Sequence, residues 1–447
     1  MGELALDVTV LERLRSLLGL LVLGMVAWGL STDRSRIPWR VVAWGVALQF
    51  AFALFILKTP LGADVFDVMG VAVVRLLGFT LDGAAFIFGN LVYDTVPVGT
   101  QVVGQGGFEA LPGQVARTGA TIAFNVLPTI IFFSALMTVL YHLGVMQLLV
   151  KAAAWIMQKT MGTSGAETLS AAGNIFIGQT EAPLLVKPFI ESMTESELMS
   201  VMTAGFATVA GGVLAAYVGM MVGYFPDIAG HLIAASVMSA PAALVVAKIM
   251  LPEKDIPQTS GELSITVERP DVNVIDAAAR GASEGLNLAL NVGAMLLAFV
   301  ALIQLANGML GWVGGFFGYG DLTFEAILGG ALAPLAWLMG VPWSDAPAVG
   351  SLLGVKTVLN EFVAYLQLAG MLEGGVPGGG ALDPRSVIIA TYALSGFANF
   401  GSIAIQIGGI GGIAPSRRHD LSRLGLRAMI GGSIAAFMTA TVAGMIL

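Results

Sequence analysis

Charge-free, mostly apolar runs alternate with short polar connectors along the whole chain. They cover Ser16–Thr32, Val41–Leu57, Thr118–Val150, Leu198–Pro226, Ile228–Ala247, Gly285–Gly320, Ala326–Ser344, Ser386–Ser416 and Ala428–Leu447. About 20 apolar residues carry a helix across a bilayer, and roughly 17 suffice. Eight of these runs are therefore predicted to span a membrane as helices. The exception is Ala326–Ser344, which carries Pro334, Pro342 and Gly329-Gly330 and is predicted as an interfacial or buried helix. Lys58–Arg117 is acidic and Gly-rich with an amphipathic start, which predicts short helices along the outer interface.

Thr163–Met193 and Pro347–Leu372 break the pattern: both are apolar enough for a membrane, yet each carries Glu, Lys and backbone breakers in its middle. Irregular backbone survives at membrane depth only inside protein or against a wet cavity, so both are predicted as re-entrant hairpins. Thr194 and Glu197 have capping-box spacing and start the next span. After each hairpin comes a related core, Gly205-Phe206-Ala207-Thr208-Val209-Ala210-Gly211 and Gly396-Phe397-Ala398-Asn399-Phe400-Gly401-Ser402. Both copies run span, interfacial helix, Glu-bearing hairpin, Gly-interrupted span, final span. With three crossings each, the second copy is inverted, an arrangement that places substrate and ion sites near the midplane. The predicted fold is an all-α integral membrane protein with eight spans, two re-entrant hairpins, interfacial helices and an inverted repeat. Its divisions are residues 1–117, a first repeat over 118–251, a linker over 252–284 and a second repeat over 285–447.

Composition sharpens this picture. Of 447 residues 56% are hydrophobic and 11% charged, against roughly 25% charged in a soluble domain, so most of the surface must face lipid. The balance, 21 − 29 = −8, and the lack of a dense basic block leave nucleic-acid binding without support. With no cysteine and three histidines (His142, His231, His419), thiolate chemistry and most zinc sites are excluded. The basic residues sit in Gly411–Arg427, in the first loop (Arg34, Arg36, Arg40) and in the Pro252–Asp276 linker (Lys254, Arg269). With eight spans these loops share one side, predicted to be cytoplasmic, which leaves both termini outside a cytoplasmic (inner) membrane.

Against so few charges, Glu181 in Gly178-Gln179-Thr180-Glu181-Ala182-Pro183 and Glu361 in Asn360-Glu361-Phe362-Val363-Ala364-Tyr365 stand out. A carboxylate at the centre of a membrane helix costs about 3 kcal/mol on the insertion scale. Pairing with Lys187 and Lys356 is one way to offset it, although the spacings of six and five residues miss the i,i+4 contact. The other is a wet pocket where Gln179, Thr180, Asn399 and Ser402 add donors and acceptors and Phe397 and Val213 an apolar face. Two acids and no arginine would repel an anion; nucleosides, sugars or cations remain. Asn174 and Thr208, with carbonyls freed at the glycine breaks, suit a hard cation such as Na+. No His sits beside a Ser and no phosphate-binding loop is present. An intramembrane enzyme using Glu181 and Glu361 as acid and base is the rival class, and a passive channel the third; the reading is a transporter and not an enzyme.

The three segments Gly178–Leu184, Asn360–Tyr365 and Ser395–Ser402 resemble the signature segments of the concentrative nucleoside transporters, and the resemblance covers nearly the whole chain. It implies a homotrimer in the lipid bilayer. Each protomer would have a scaffold (the first three spans, outer interfacial helices and sixth span) and a mobile unit of the two hairpin repeats, importing nucleosides by alternating access. It further implies that Gln179 and Thr180 contact the nucleobase with Glu181 nearby, that Val213 and Phe397 flank base and sugar, and that Glu361, Asn399 and Ser402 hold the ribose. Sodium would be held by the side chains of Asn174 and Thr208 and the carbonyls of Ile177, Thr208 and Val209, with no other cofactor. Thr208 stands where sodium-coupled relatives carry a hydroxyl residue, so Na+ is favoured over a proton as the coupling ion.

Overall fold

The computed structural model describes residues 9–102, 107–118, 122–260, 271–376 and 380–447; Arg269 of the linker lies outside them. Helix α1 (Val10–Gly29) opens on a capping box in which Thr9 and Glu12 exchange hydrogen bonds, and α2 (Trp39–Lys58) follows. Pro60 then starts α3 (Pro60–Phe88), whose N-cap Thr59 accepts the Gly62 N–H. The short interfacial helices expected over Lys58–Arg117 are instead this one 29-residue helix and an antiparallel hairpin, β1 (Thr95–Val102) and β2 (Gly107–Arg117). Asp64, Asp67, Arg75 and Asp82 interrupt every charge-free run, but no proline after Pro60 interrupts the helix, which ends at Gly89 with φ +58°. The hairpin amends the all-α expectation to a mostly helical chain.

The next seven helices are α4 (Leu127–His142), α5 (Val145–Met161), α6 (Gly165–Gly173), α7 (Lys187–Ile190), α8 (Glu195–Ala207), α9 (Gly211–Met221) and α10 (Ile228–Met250). The predicted capping box starts α8: Glu197 N–H donates to Thr194 Oγ1 and Thr194 N–H to Glu197 Oε2. Thr208, Val209 and Ala210 part α8 from α9. The C-terminal half has α11 (Val274–Gly315), α12 (Phe324–Met339), α13 (Ala346–Val358), α14 (Glu361–Gly374), α15 (Pro384–Leu394), α16 (Phe400–Ile413) and α17 (Arg418–Ile446). Here too the helix breaks, at Leu359-Asn360 and over Ser395–Asn399.

Among the described residues seven helical stretches are long and apolar enough to cross a membrane. Six coincide with predicted spans, and Pro60–Val92 is the seventh. The other two predicted spans lie elsewhere: Ser16–Thr32 falls in α1, whose first turns carry Glu12, Arg13 and Arg15, and Ser386–Ser416 is split into α15 and α16. Ala326–Ser344 forms α12, a buried helix only along one stripe.

Helices α8, α10 and α17 are buried almost all round and form the centre. Around them, α1 and α2 pack on α17 and α10, and α4 lies along α11. Missing side chains set the approaches: a Cβ on Gly281 or Gly285 would come within 2.8 Å of α4 backbone, and one on Gly350 within 2.7 Å of the Gly329 carbonyl. Close backbone contact through small residues is how membrane helices gain packing energy. The basic loops gather at one end. Thr32 N–H donates to Met250 O, Thr194 Oγ1 to Glu253, and the Arg417 guanidinium to the carbonyls of Ile190, Glu191 and Met193.

Candidate functional site

The two matching cores touch at their breaks. Gly396 has φ +132°, and a Cβ there would lie 2.8 Å from Phe206 O and 2.9 Å from Ala207 O. Only glycine supplies both that dihedral and that contact. Beside this crossing two half-helices begin: Asn360 caps α14 by accepting the Val363 N–H at 2.9 Å, and Asn399 caps α16 by accepting the Ser402 N–H at 2.9 Å. Glu361 is the first residue of α14, so its carboxylate lies at the positive end of a helix dipole.

A buried chain of hydrogen bonds runs from there across both halves. Tyr217 on α9 donates to Glu361 Oε1 at 2.6 Å, and Asn399 Nδ2 to Glu361 Oε2 at 3.0 Å. Since Asn399 Oδ1 is committed to the cap, its amide nitrogen must face the carboxylate. Farther along, Gln179 Nε2 donates to Ser402 Oγ at 3.3 Å, and Gln406 Nε2 donates to Gln179 Oε1 at 3.0 Å and to Met202 O at 3.1 Å. Ser402 and Gln406 lie one turn apart on α16, and Gly409 continues their face: a Cβ there would meet Thr180 Cγ2 at 2.7 Å. Small and polar residues thus let the Gln179-Thr180 segment rest on α16. Val213 precedes Tyr217 by one turn on the same face of α9 and is buried; Phe397 is partly buried in the break.

Glu181 has different surroundings. It lines a cavity of about 870 Å³ between the 176–191 segment, α4, the start of α9 and α11. The cavity runs from Ile177 and Gly178 to Lys187 and Glu191, near the end where the basic loops gather. Its polar lining includes Arg280 and Glu284 of α11, which pair at 2.7 Å.

The candidate cation ligands lie beside this cavity. Gly211 N–H donates to Phe176 O at 3.1 Å, which brings the 174–177 segment against the Thr208–Ala210 break. Asn174 Nδ2 donates to Ser170 O, while its Oδ1 is buried with no hydrogen-bond partner. Thr208 Oγ1 spends its proton on Ala204 O at 2.9 Å, leaving lone pairs free. A buried oxygen lacking a donor costs about 1–3 kcal/mol, and a hard cation is one way to recover it. These residues fit Na+ in donor type.

The structure therefore joins Gln179, Glu361, Asn399 and Ser402 in one chain, holds Thr180 against α16, and puts Glu181 in the adjoining cavity. Tyr217 and Gln406 were not singled out from sequence; Gln406 follows Ser402 at i+4 in an apolar run, which is the signal that could have found it. Lys356 does not pair with Glu361 but donates to Ala393 O at 2.7 Å. His231 packs between Phe66 and Phe225 with Nδ1 3.3 Å from the Tyr392 hydroxyl, a structural role.

Broken helices that meet around a buried polar chain, in a bundle whose outer helices expose apolar side chains, define a multi-pass membrane transporter. Comparison with known proteins is specific. Residues 18–91, 123–224 and 231–444 match models described, in that order, as Na+ dependent nucleoside transporter N-terminus, nucleoside recognition, and Na+ dependent nucleoside transporter C-terminus. An uncharacterized transporter of Haemophilus influenzae is 45% identical, covering 97% of this chain and 98% of its own. Sodium/nucleoside cotransporter 1 of Rattus norvegicus is 40% identical over 97% of this chain and 64% of its own. The chain spans about three fifths of the length of several vertebrate relatives it matches. CNTnw in an inward-facing substrate-bound state superposes with TM-score 0.85 at 46% identity, covering 97% of this chain and 98% of that one. An outward-facing CNTnw variant gives TM-score 0.84 at the same identity, with 97% of each chain covered. The chain belongs to the concentrative, Na+ dependent nucleoside transporter family; it is a transporter and not an enzyme.

Proposed function

We propose that this protein imports nucleosides across the cytoplasmic (inner) membrane by coupling them to inward Na+ movement, with alternating access at the site between the two broken repeats. The observation that carries the reading is the chain Tyr217–Glu361–Asn399 with Gln179–Ser402, which draws its members from both halves. It is built of neutral amides, hydroxyls and one acid, suited to the hydroxyls of ribose and the edge of a base and unsuited to a phosphate. In this reading Gln179 and Thr180 meet the nucleobase, Glu181 acts from the cavity, Val213 and Phe397 flank base and sugar, and Glu361, Asn399 and Ser402 hold the ribose. Asn174 and Thr208 side chains, with the carbonyls of Ile177, Thr208 and Val209, hold Na+; the partnerless Asn174 Oδ1 supports this.

The finer architecture belongs to the same proposal: eight spans, two re-entrant hairpins, an inverted repeat over residues 118–251 and 285–447, both termini outside and a homotrimer in the lipid bilayer. The scaffold is residues 1–117 and the paired α4 and α11, with the linker over 252–284 cytoplasmic. With the basic loops cytoplasmic, the cavity beside Glu181 opens inward. Energetics favour import. One Na+ entering down a tenfold gradient releases about 1.4 kcal/mol, and 100 mV of potential adds about 2.3 kcal/mol.

Reconstituted protein given external Na+ is expected to concentrate labelled uridine above the bath. Replacing Na+ by choline at constant pH stops the accumulation. Uptake that persists and follows an inward proton gradient would favour the proton-coupled alternative, and equilibration without concentration would reveal a passive channel.

A further inference from the structure

We infer that Gln406 is a positioning residue for base selectivity: it fixes which end of the Gln179 amide is turned toward the binding site. The inference rests on the reading that Gln179 meets the nucleobase.

An amide can turn over and exchange its donor and acceptor at little cost unless its neighbours forbid it. Here they do. Gln406 Nε2 is 3.1 Å from Met202 O and 3.0 Å from Gln179 Oε1. A backbone carbonyl only accepts, so the Gln406 atom that faces Met202 must be the nitrogen. The second hydrogen of that nitrogen goes to Gln179, whose facing atom must then be its oxygen. Gln179 is left with its nitrogen toward Ser402 Oγ. A helix carbonyl that cannot rotate thus dictates, through Gln406, that Gln179 offers N–H donors on the Ser402 side.

Two further features keep the relay in place. Gly205 leaves room for it: a Cβ there would lie 2.8 Å from Gln406 Nε2 and 3.0 Å from Gln179 Cβ. Turning the Gln406 amide would give up both bonds donated by Nε2 and set its oxygen, now buried without a hydrogen-bond partner, against the Met202 carbonyl. The consequence is chemical. Uridine and cytidine, like inosine and adenosine, differ at one edge by an oxo group in place of an amino group, and a pinned amide discriminates between these where a freely turning one does not.

The test measures uptake KM for these four nucleosides in proteoliposomes, for the unmutated chain, Gln406→Met and Gln179→Leu. Gln406→Met conserves volume and removes the donor. The expected result is that it narrows the oxo-to-amino KM ratio at least threefold toward one while maximal uptake is kept. Gln179→Leu is expected to narrow the same ratio. A Gln406→Met protein that weakens all four nucleosides equally, or leaves the ratio unchanged while Gln179→Leu alters it, overturns the relay and leaves the base contact standing. No change in either variant sinks the base contact itself. An unmutated ratio of one also overturns the inference. If Gln406→Met fails to accumulate, Gln406→Asn, which keeps the amide one carbon shorter, is measured by the same criterion.

Discussion

The Tyr217 hydroxyl donates to Glu361 Oε1 at 2.6 Å, joining α9 to the first turn of α14. Tyr217 also stacks on Tyr365 with ring centroids 4.6 Å apart, so the hydroxyl is held in place by packing before any substrate arrives. A hydrogen bond to a buried carboxylate contributes about 1.5–3 kcal/mol. Tyr217→Phe keeps the stacking and removes the bond. It is expected to lower the melting midpoint by the loss of that one bond and, because the carboxylate is no longer held for the ribose, to raise the nucleoside KM as well; a lowered melting midpoint with an unchanged KM would assign Tyr217 to the fold alone.

Gly396 is the point where the break before α16 meets the end of α8 and cannot tolerate a side chain. Gly396→Ala adds a methyl group at 2.8 Å from Phe206 O and strains a left-handed φ of +132°. Such strain alone costs about 1–3 kcal/mol. Thermal unfolding of the purified protein in detergent is expected to show a clear drop, whereas Gly412→Ala, with nothing within 4 Å of its added methyl, is expected to leave the midpoint near that of the parent.

A buried cluster closes the N-terminal ends of α6 and α8. Lys248 Nζ lies 2.8 Å from Glu167 and 3.1 Å from Glu253, and Ser164 Oγ donates to Glu197 at 2.5 Å. Three acids gather around one lysine and two helix N-termini. Removing only the cation leaves buried carboxylates uncompensated, a loss of about 3–5 kcal/mol. Lys248→Ala is expected to unfold at markedly lower temperature, and Lys248→Met combined with Glu167→Gln to recover much of that loss, since glutamine retains the cap to Ser164 N–H.

At the start of α11 the hydrogen bonds from Arg280 hold the Asp271 carboxyl below the usual carboxylate range. A depressed folded value means that this pair stabilises the protein above the unfolded value of about 3.9 and stops doing so as pH falls through the lower folded value. Asp271→Asn is therefore expected to lower the melting midpoint at pH 7 and to lower it progressively less as pH falls from the unfolded value through the depressed folded value. An effect that stays equal over that fall in pH would contradict the ionic origin.

Much of this was legible in the sequence because a membrane makes a few residues conspicuous. The runs that match α2, α4, α8 to α10, α11 and α17 follow from apolar length alone, and Glu361, Asn399 and Gln179 follow from polarity where lipid forbids it. What stayed hidden has identifiable causes. Asp64, Asp67, Arg75 and Asp82 disguised α3, because a rule demanding charge-free runs cannot see a helix whose charges are spread over several turns. Tyr217 was invisible because a tyrosine within an apolar helix acquires meaning only when a partner from another element is placed against it, whereas Gln406 was overlooked although its i+4 spacing from Ser402 in an apolar run marks it. The contact of Gly396 with Phe206 likewise requires the chain to bring two distant breaks together.

Glu361 carries the central claim, that one carboxylate between the two repeats binds the nucleoside that Na+ drives inward. Glutamine at this position can preserve the surroundings: its carbonyl accepts from Asn399 Nδ2, and its nitrogen donates to a Tyr217 hydroxyl that turns to accept. The fold is kept while the charge goes. The decisive measurement is uridine accumulation by Glu361→Gln proteoliposomes under an imposed inward Na+ gradient, beside the unmutated protein at equal incorporation. Loss of accumulation with an unchanged melting midpoint and oligomeric state is the predicted result; accumulation equal to that of the unmutated protein would contradict the claim.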